Sequence, residues 1–466
     1  MEWSKLLNPT RLRKFFGLPE SRRMSGELRS EFERDYDRAL YSSPVRRLRD
    51  KAQVFPLEQH DSIRTRLTHS LEVSVAAENL ALAAMPHLPG VDLERPEEQK
   101  SIAWIARTCG LMHDLGNPPF GHAGEKAISS WFDKKNLCDD NFRRQFHDLT
   151  DQQKKDFLAF EGNAQTIRLV SHSQLLLDNY GLNLTIGTLA SLCKYLPPSH
   201  LADNKNQIHA LKKPGYFSSE EEIVNVVREQ SSTGAHRHPI TYLVEAADDI
   251  VYSTVDLEDG LKKDVLDWST IEREMKDCPI AKEILQEADS DLVGTELRGK
   301  AFRDARAVIL RTKAIGRMAH AVVKTFEHRY SQIMNGDYDG ELVADDNCAV
   351  KEFIHFSKDR ILGPYLYTHP SILKLEIRGR EVIHDLMDVF WEAMDELTLP
   401  AKTKEYSGKL YLLLSENYRH DLERRLNEGG GEKSNQLYQK LQLITDQISG
   451  MTDTYICMLH KDLFNG

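Results

Sequence analysis

The sequence predicts an all-α fold, on two observations. Apolar residues recur with helical spacing over most of the chain, as in residues 66–85, where Leu71, Val75 and Leu80 stand among alanines. No series of alternating runs rich in valine, isoleucine and threonine is present, so we do not expect a substantial sheet. Residues 372–377 alternate like a short strand within helical surroundings, and their conformation is left open.

The same periodicity places individual helices along the chain. We expect helices over residues 66–85, 101–114, 120–132, 160–178, 240–262 and about 435–463. Thr65 or Thr68 can cap the first of them, because a threonine oxygen accepts from a free amide of the first turn. The highly charged residues 134–156 predict an exposed excursion, and residues 196–219, rich in proline, serine and glycine, predict a loop.

These elements divide the chain into three predicted parts. We expect an N-terminal arm over residues 1–45 and a core that carries the chemistry over residues 46–262. A helical lobe over residues 263–466 then shapes a substrate pocket and makes subunit contacts. A chain of 466 residues is long enough for such an arrangement.

Composition narrows the class of protein. The chain is 40% hydrophobic and 29% charged with a net charge of −11, so the molecule as a whole does not resemble a nucleic-acid binder. Its six cysteines are scattered without a Cys-x-x-Cys pair, which favours reduced thiols in the cytoplasm. No apolar run approaches the roughly 20 residues of a membrane span, so we expect no membrane partner. The basic residues 46–51 leave single-stranded DNA binding as a secondary property.

The strongest chemical signal is the pair His113-Asp114. It ends an apolar helical run and precedes a Gly-Asn-Pro-Pro turn, after which the next helix opens with His122 and Glu125. An imidazole nitrogen and a carboxylate at a helix end can both face one divalent cation, and such a cation can activate water for hydrolysis.

A metal site needs further ligands, and two helices offer them. His69 begins an otherwise apolar helix, although a lone histidine there is more often structural. Asp248 and Asp249 interrupt another apolar helix, and Tyr252 and Asp256 follow Asp248 at four and eight residues, which puts them on one stripe. Two histidines and two aspartates form a mixed nitrogen and oxygen set that suits manganese, magnesium, iron or cobalt.

His122 and Glu125 form a second candidate pair. Three residues apart at the start of a helix, they share one face. A carboxylate can orient and polarise an imidazole, which then aligns a water or protonates a leaving oxygen. The alternative is an acid that only interacts favourably with the helix dipole.

The ordered set His69, His113-Asp114 and Asp248 resembles the HD-domain metal-dependent phosphohydrolases. The text around these residues is more specific and is similar to the bacterial deoxyguanosinetriphosphate triphosphohydrolases, or dGTPases. The similar segments run in the same order through the chain: QVFPLE (53–58), RTRLTHS (64–70), HDLGNPPFGH (113–122), FEGNAQ (160–165), KKPGY (212–216), EAADDI (245–250) and ISGMTD (448–453).

The resemblance implies an HD-domain helical core with an additional helical C-terminal lobe, which cleaves dGTP to deoxyguanosine and inorganic triphosphate. It assigns His69, His113, Asp114 and Asp248 to a divalent metal, Mn2+ or Mg2+ with Co2+ as an alternative, and His122 and Glu125 to catalysis. It implies substrate contacts from nine residues: Gln53, Tyr252 and Asp256 around the sugar, Arg66, Asn163, Lys194, Tyr195 and Lys213 along the triphosphate, and Glu376 near the guanine.

The resemblance also implies a homo-oligomer, most simply a hexamer, in which one subunit completes the pocket of another. Where some members carry a late arginine, this sequence offers Lys402, Lys404 or Lys409. Three alternatives to dGTP hydrolysis stay open: a dNTP triphosphohydrolase of broader specificity, a nucleotidase acting on monophosphates, and a nucleotide-sensing or single-strand nucleic-acid-binding HD protein without catalysis.

Overall fold

The computed structural model describes residues 1–19, 26–58, 60–89, 96–172, 180–397, 401, 404–428 and 433–464. Within these ranges the chain is helical and contains three isolated β-bridges but no β-strand. The all-α prediction is therefore confirmed. No helix among the described residues combines the length and the apolar character needed to cross a membrane.

The α-helices are numbered here in chain order. They are α1 Trp3–Leu6, α2 Glu31–Leu40, α3 Ser43–Arg47, α4 Arg66–Ala84, α5 Pro96–Met112, α6 Gly121–Cys138, α7 Asp140–His147, α8 Asp151–Leu158, α9 Gly162–Ser171, α10 Ile186–Leu192, α11 Glu221–Ser231, α12 Pro239–Lys262, α13 Trp268–Met275, α14 Pro279–Asp291, α15 Gly299–Asn335, α16 Lys351–His355, α17 Pro370–Glu396, α18 Tyr406–Leu413, α19 Glu416–Glu428, α20 Lys433–Gly450 and α21 Asp453–Phe464. Between α16 and α17 the segment Phe356–Tyr367 is a π-helix.

Helices α4, α5 and α12 form the centre of the fold, with α15 covering α4 and α12. Helix α4 begins where the sequence predicts, because the Thr65 side chain accepts from the Thr68 amide and caps the first turn. Helices α4 and α5 approach so closely that a Cβ added at Gly110 would lie 2.8 Å from the Cα of Ser74. This close packing places the middle of α4 against the last turn of α5.

The buried apolar side chains form two clusters. The larger one draws on residues between Trp3 and Ile372 and includes the central helices. The smaller one joins α6, α7 and α8 to the C-terminal helices from α17 onward. The clusters therefore combine early and late segments of the chain, and the three-part division at residues 45 and 262 stays a prediction.

The charged residues 134–156 do not form a simple excursion. Charged side chains such as Lys134 and Arg143 are exposed, but Phe142, Phe146 and Phe157 are buried in the smaller cluster. Helix α7 buries Phe142 and Phe146, and helix α8 buries Phe157 together with Asp156. The charge pattern therefore indicated the outer face and missed the inner one.

The C-terminal helices show the conformation of residues 372–377, which alternate like a short strand, and of about residues 435–463, for which the sequence predicts one helix. Residues 372–377 are helical within α17, so their strand-like alternation does not produce a strand. The prediction of one final helix over about residues 435–463 is wrong, because α20 ends at Gly450 and α21 begins at Asp453. The Thr452 hydroxyl accepts from the Tyr455 amide at 3.2 Å and caps α21, so the chain turns at this point.

Candidate metal centre and substrate cavity

One cavity of about 520 Å3 gathers most of the residues singled out from the sequence. It is lined by segments from both ends of the chain, including the π-helix and α17. The predicted site residues in its wall are Gln53, Arg66, His113, Asp114, His122, Asn163, Lys194, Tyr195, Lys213, Asp248, Tyr252, Asp256 and Glu376. His69 and Glu125 lie behind the wall, each in contact with one of these residues.

Three of the predicted metal ligands meet at one point. His69 comes from the first turn of α4, His113 follows α5, and Asp248 lies in the middle of α12. Their ligand atoms lie within 4.8 Å of one another. The Asp248 carboxylate is 3.0 Å from the His69 Nε2 and 3.5 Å from the His113 Nε2. A common cation could therefore contact all three side chains.

The hydrogen bonds around His113 suit a metal ligand. Its Nδ1 donates to the Gly110 carbonyl at 2.8 Å, so Nε2 carries the lone pair in the neutral imidazole, and this nitrogen lies 3.5 Å from the Asp248 carboxylate. This Nε2 is buried and has no hydrogen-bond partner among the described residues. A buried nitrogen lone pair beside a carboxylate, with a second imidazole nearby, fits a divalent cation.

Asp114 stands slightly apart from this group and pairs with Arg66. Its Oδ2 is 3.6 Å from the His113 Nε2, and its Oδ1 accepts from the side-chain amide of Asn117 at 2.8 Å. Burial alone would raise the pKa of Asp114, but the Arg66 guanidinium together with His113 and His69 outweighs burial and lowers the pKa to about 2. Asp114 is therefore an anion throughout the neutral range and is available as a fourth ligand.

A second group of metal-type side chains, His209, Glu245 and Glu341, lies in the same cavity and was missed by the sequence analysis. Glu245 is already neutralised, because Arg237 donates to its Oε2 at 2.7 Å and Lys194 lies 3.4 Å from its Oε1. These cations compete with a metal ion. The group is thus better suited to holding Lys194 at the cavity wall than to binding a cation.

His122 and Glu125 form the contact that their spacing predicts. The His122 Nδ1 lies 2.7 Å from the Glu125 Oε2, and the Gly162 amide donates to the other carboxylate oxygen at 2.8 Å. The imidazole is 75% exposed, whereas the carboxylate is 9% exposed. The hydrogen bond with Glu125 raises the pKa of His122 above its usual value. A buried anion therefore orients an imidazole that lines the cavity.

The polar stripe of α12 forms another part of the wall. Tyr252 and Asp256 line the cavity together with Asp248, as the spacing of four residues predicts. Burial raises the pKa of Asp256 to about 8, and the Tyr367 hydroxyl donates to its Oδ2 at 2.8 Å. Gln53 lies in the same wall with a buried Oε1 that has no partner among the described residues. Sequence reasoning missed Tyr367, because it ends a π-helix with no readable periodicity.

Cationic and polar groups converge on the neighbouring stretch of wall. The Nζ atoms of Lys194 and Lys213 lie 5.8 and 5.7 Å from the centre of the Tyr195 ring. Glu161 contacts two of these residues. Its Oε2 lies 2.9 Å from the Lys213 Nζ, and its Oε1 accepts from the side-chain amide of Asn163 at 2.8 Å. Glu161 belongs to the segment FEGNAQ but received no role from the sequence.

The late part of the chain contributes an acid to the cavity. Glu376 lies on α17 in the cavity wall, and burial raises its pKa. The late lysines are placed differently: Lys404 and Lys409 are exposed and do not line the cavity, and Lys402 lies outside the described residues. A basic contribution from a neighbouring subunit stays a prediction.

Comparisons with known proteins agree with this geometry. Residues 359–462 match the family described as the phosphohydrolase-associated domain. The chain is 36% identical to a deoxyguanosinetriphosphate triphosphohydrolase-like protein of Listeria monocytogenes, over 100% of this chain and 98% of the relative. It is 32% identical to a protein of the same description from Synechocystis, over 99% of each chain. It is 31% identical to the deoxyguanosinetriphosphate triphosphohydrolase of Yersinia enterocolitica, over 94% of this chain and 95% of the relative.

Proposed function

Because the chain belongs to the deoxyguanosinetriphosphate triphosphohydrolase family of hydrolases, we propose that it cleaves dGTP to deoxyguanosine and inorganic triphosphate with the help of a divalent metal. The observation that carries this proposal is the single cavity that joins a nitrogen and oxygen ligand group, a histidine and glutamate pair, and a cationic wall. A nucleoside triphosphate needs all three, since it carries several negative charges and a bond that water must attack.

Mn2+ or Mg2+, with Co2+ as an alternative, is the proposed metal, held by His69, His113, Asp114 and Asp248. The donor set supports this assignment, because two imidazoles and two carboxylates suit these ions, whereas structural zinc sites usually include thiolates. When bound, the metal supplies Lewis-acid stabilisation of charge that develops on phosphoryl oxygens.

The chain's own groups surround the reacting phosphorus in this proposal. Release of intact triphosphate requires attack of water at the α-phosphorus and departure of the nucleoside 5′-oxygen. We place His122 beside that phosphorus, where the nitrogen that does not contact Glu125 aligns the water or protonates the leaving oxygen. Lys194 and Lys213 then neutralise the outer phosphates.

Arg66, Asn163 and Tyr195 complete the triphosphate path in this proposal. Arg66 pairs with Asp114, so it can hold a phosphoryl oxygen close to the metal group. Asn163 and the Tyr195 ring lie beside Lys213, where an amide and a hydroxyl can donate to the outer oxygens.

In this proposal the sugar and the base occupy the part of the cavity lined by Gln53, Tyr252, Asp256 and Glu376. We assign the 3′-hydroxyl of deoxyribose to Gln53 and Asp256, because both carry a buried oxygen without a hydrogen-bond partner among the described residues. Tyr252 follows Asp248 by one helical turn, where its ring would crowd a 2′-hydroxyl. Glu376, an acid half-buried in the wall, is assigned to the guanine, whose ring N–H and amino group are donors.

We also infer that the chain forms a homo-oligomer, most simply a hexamer. Large apolar side chains are exposed along the outer face of α4, at Leu71, Val75 and Leu82, and at the end of α21, at Leu463 and Phe464. Such apolar rows are typical of subunit contacts, and closed symmetric assemblies are the usual result.

The direct test is incubation of the full-length protein with each of the four dNTPs and GTP in the presence of Mn2+ or Mg2+, with products resolved by ion exchange. We expect triphosphate as the inorganic product and dGTP as the preferred substrate. Equal rates with all dNTPs would instead support broader specificity, and pyrophosphate or phosphate as the product would contradict the proposed reaction. An Asp248→Ala variant is the control for a contaminating phosphatase.

A further inference from the structure

The junction between α20 and α21 contacts two separate segments of the cavity wall. The carboxylate of Asp453, which is 1% exposed, accepts hydrogen bonds from two backbone amides. Phe120 donates to its Oδ1 at 3.0 Å, and Ala52 donates to its Oδ2 at 2.9 Å. One buried side chain therefore joins two segments that are 68 residues apart, counted from 52 to 120.

A buried lysine makes a parallel connection. The Nζ of Lys51, a residue that is 3% exposed, donates to the Asn117 carbonyl at 2.6 Å and to the Ser449 carbonyl at 2.7 Å. Lys51 also accepts through its own carbonyl from the Arg66 amide at 2.9 Å. Lys51 thus connects three segments: its own segment next to residue 52, the turn after His113, and the end of α20.

These connections end next to residues of the candidate site. Ala52 immediately precedes Gln53, and Phe120 stands two residues before His122. Phe120 has a φ of 63°, in the left-handed region that residues with a side chain rarely adopt. Such a conformation persists only when its surroundings hold it, and here the Asp453 carboxylate binds the amide of the strained residue itself.

We infer that Asp453 and Lys51 are positioning residues, which fix Gln53 relative to His122 and so set the distance between the sugar contact and the catalytic imidazole. This inference rests on the proposed function. It also assigns a role to the late segment ISGMTD, which contains Ser449 and Asp453 and has no part in the proposed reaction. Neither Asp453 nor Lys51 is among the residues that line the cavity. They act through the backbone positions that their side chains hold.

An Asp453→Asn variant tests the inference, because an asparagine retains one oxygen acceptor where two amides now donate. We expect kcat/KM for dGTP to fall about 30- to 100-fold, the scale of a misplaced reacting group. We also expect the preference for dGTP over 2′,3′-dideoxy-GTP to fall about tenfold or more, because Gln53 would no longer meet the 3′-hydroxyl. Metal content should stay at the wild-type level.

The matched control is Asp421→Asn. Asp421 is also a buried carboxylate of the C-terminal helices, but it pairs with Arg424, Arg425 and Arg168, none of which belongs to residues 51–53 or 117–122. The Asp421→Asn substitution should lower thermal stability and leave the preference for dGTP over 2′,3′-dideoxy-GTP unchanged. An equal loss of this preference in both variants, or no loss in Asp453→Asn, would overturn the inference.

A second measurement does not depend on turnover. Hydrogen exchange of the full chain should show faster exchange at the amides of residues 52 and 120 in Asp453→Asn. In Lys51→Met, which keeps the length of the side chain, the amides of Asn117, Phe120 and Gly121 should exchange faster. Unchanged exchange at these amides contradicts the inference even if Asp453→Asn is inactive. If the wild-type protein instead hydrolyses no dNTP while exchange changes as expected, the proposed function fails and the connection itself stands.

Discussion

Replacement of Glu125 by glutamine isolates the charge of the buried carboxylate behind His122. The change keeps the length of the side chain and leaves one oxygen to accept from the Gly162 amide, as Glu125 does at 2.8 Å. The amide group would then face the His122 Nδ1, which lies 2.7 Å from the carboxylate. The imidazole therefore loses an anionic partner while the helix around it keeps its packing.

The size of the effect follows from the geometry. Two unit charges about 4 Å apart interact by about 4 kcal/mol at an effective dielectric constant of about 20. The imidazole is 75% exposed, so solvent screening removes part of this energy. About 2.7 kcal/mol of lost stabilisation of an imidazolium in the transition state corresponds to a roughly 100-fold lower kcat. General acid and base assistance is usually of this size or larger.

The assay is the pH dependence of kcat with saturating dGTP, with metal content measured alongside. Glu125 raises the pKa of His122, so the limb of the profile that reports His122 should move to lower pH in Glu125→Gln. Metal content and KM should change little. Asp133→Asn, at an exposed acid of the same helix, is the control. Turnover within about threefold of wild type across the profile would refute the role of Glu125 and leave only a favourable interaction with the helix dipole.

Three further predictions concern the metal, the sugar and the assembly. His113→Ala and Asp248→Ala should each lose bound metal and hydrolysis while the fold persists, since the remaining ligands hold the ion more weakly; retained metal and turnover would contradict the ligand assignment. With Tyr252, Asp256 and Gln53 around the sugar, GTP and 2′,3′-dideoxy-GTP should both be poor substrates, and comparable rates for GTP and dGTP would show that this placement is wrong. Light scattering should reveal a hexamer whose activity falls on dilution, whereas a fully active monomer of 53.4 kDa would exclude it.

The sequence was most informative where the signal is local. Helix α4 begins at its threonine cap, and the polar stripe of α12 faces one cavity, because caps and helical spacing depend on neighbouring residues alone. The contact between His122 and Glu125 follows from the same spacing. The cavity also brings together residues that only a family resemblance had connected, such as Lys194 and Glu376.

The features that the sequence did not predict depend on distant contacts. Tyr367 reaches Asp256 from the end of a π-helix, whose hydrogen-bond pattern leaves no period in the sequence. The partnership of His209 with Glu245 joins a loop to α12 across the fold. Gly450, the last residue of α20, also has a distant neighbour, because a Cβ added there would lie 2.7 Å from the Tyr418 hydroxyl.

Hydrolysis of dGTP in water enriched with oxygen-18 tests the central claim most directly. Attack at the α-phosphorus with loss of the 5′-oxygen places the label in the inorganic product. We therefore predict triphosphate that carries one labelled oxygen together with unlabelled deoxyguanosine, as measured by mass spectrometry. Label in deoxyguanosine, or labelled phosphate or pyrophosphate in place of triphosphate, would contradict the account.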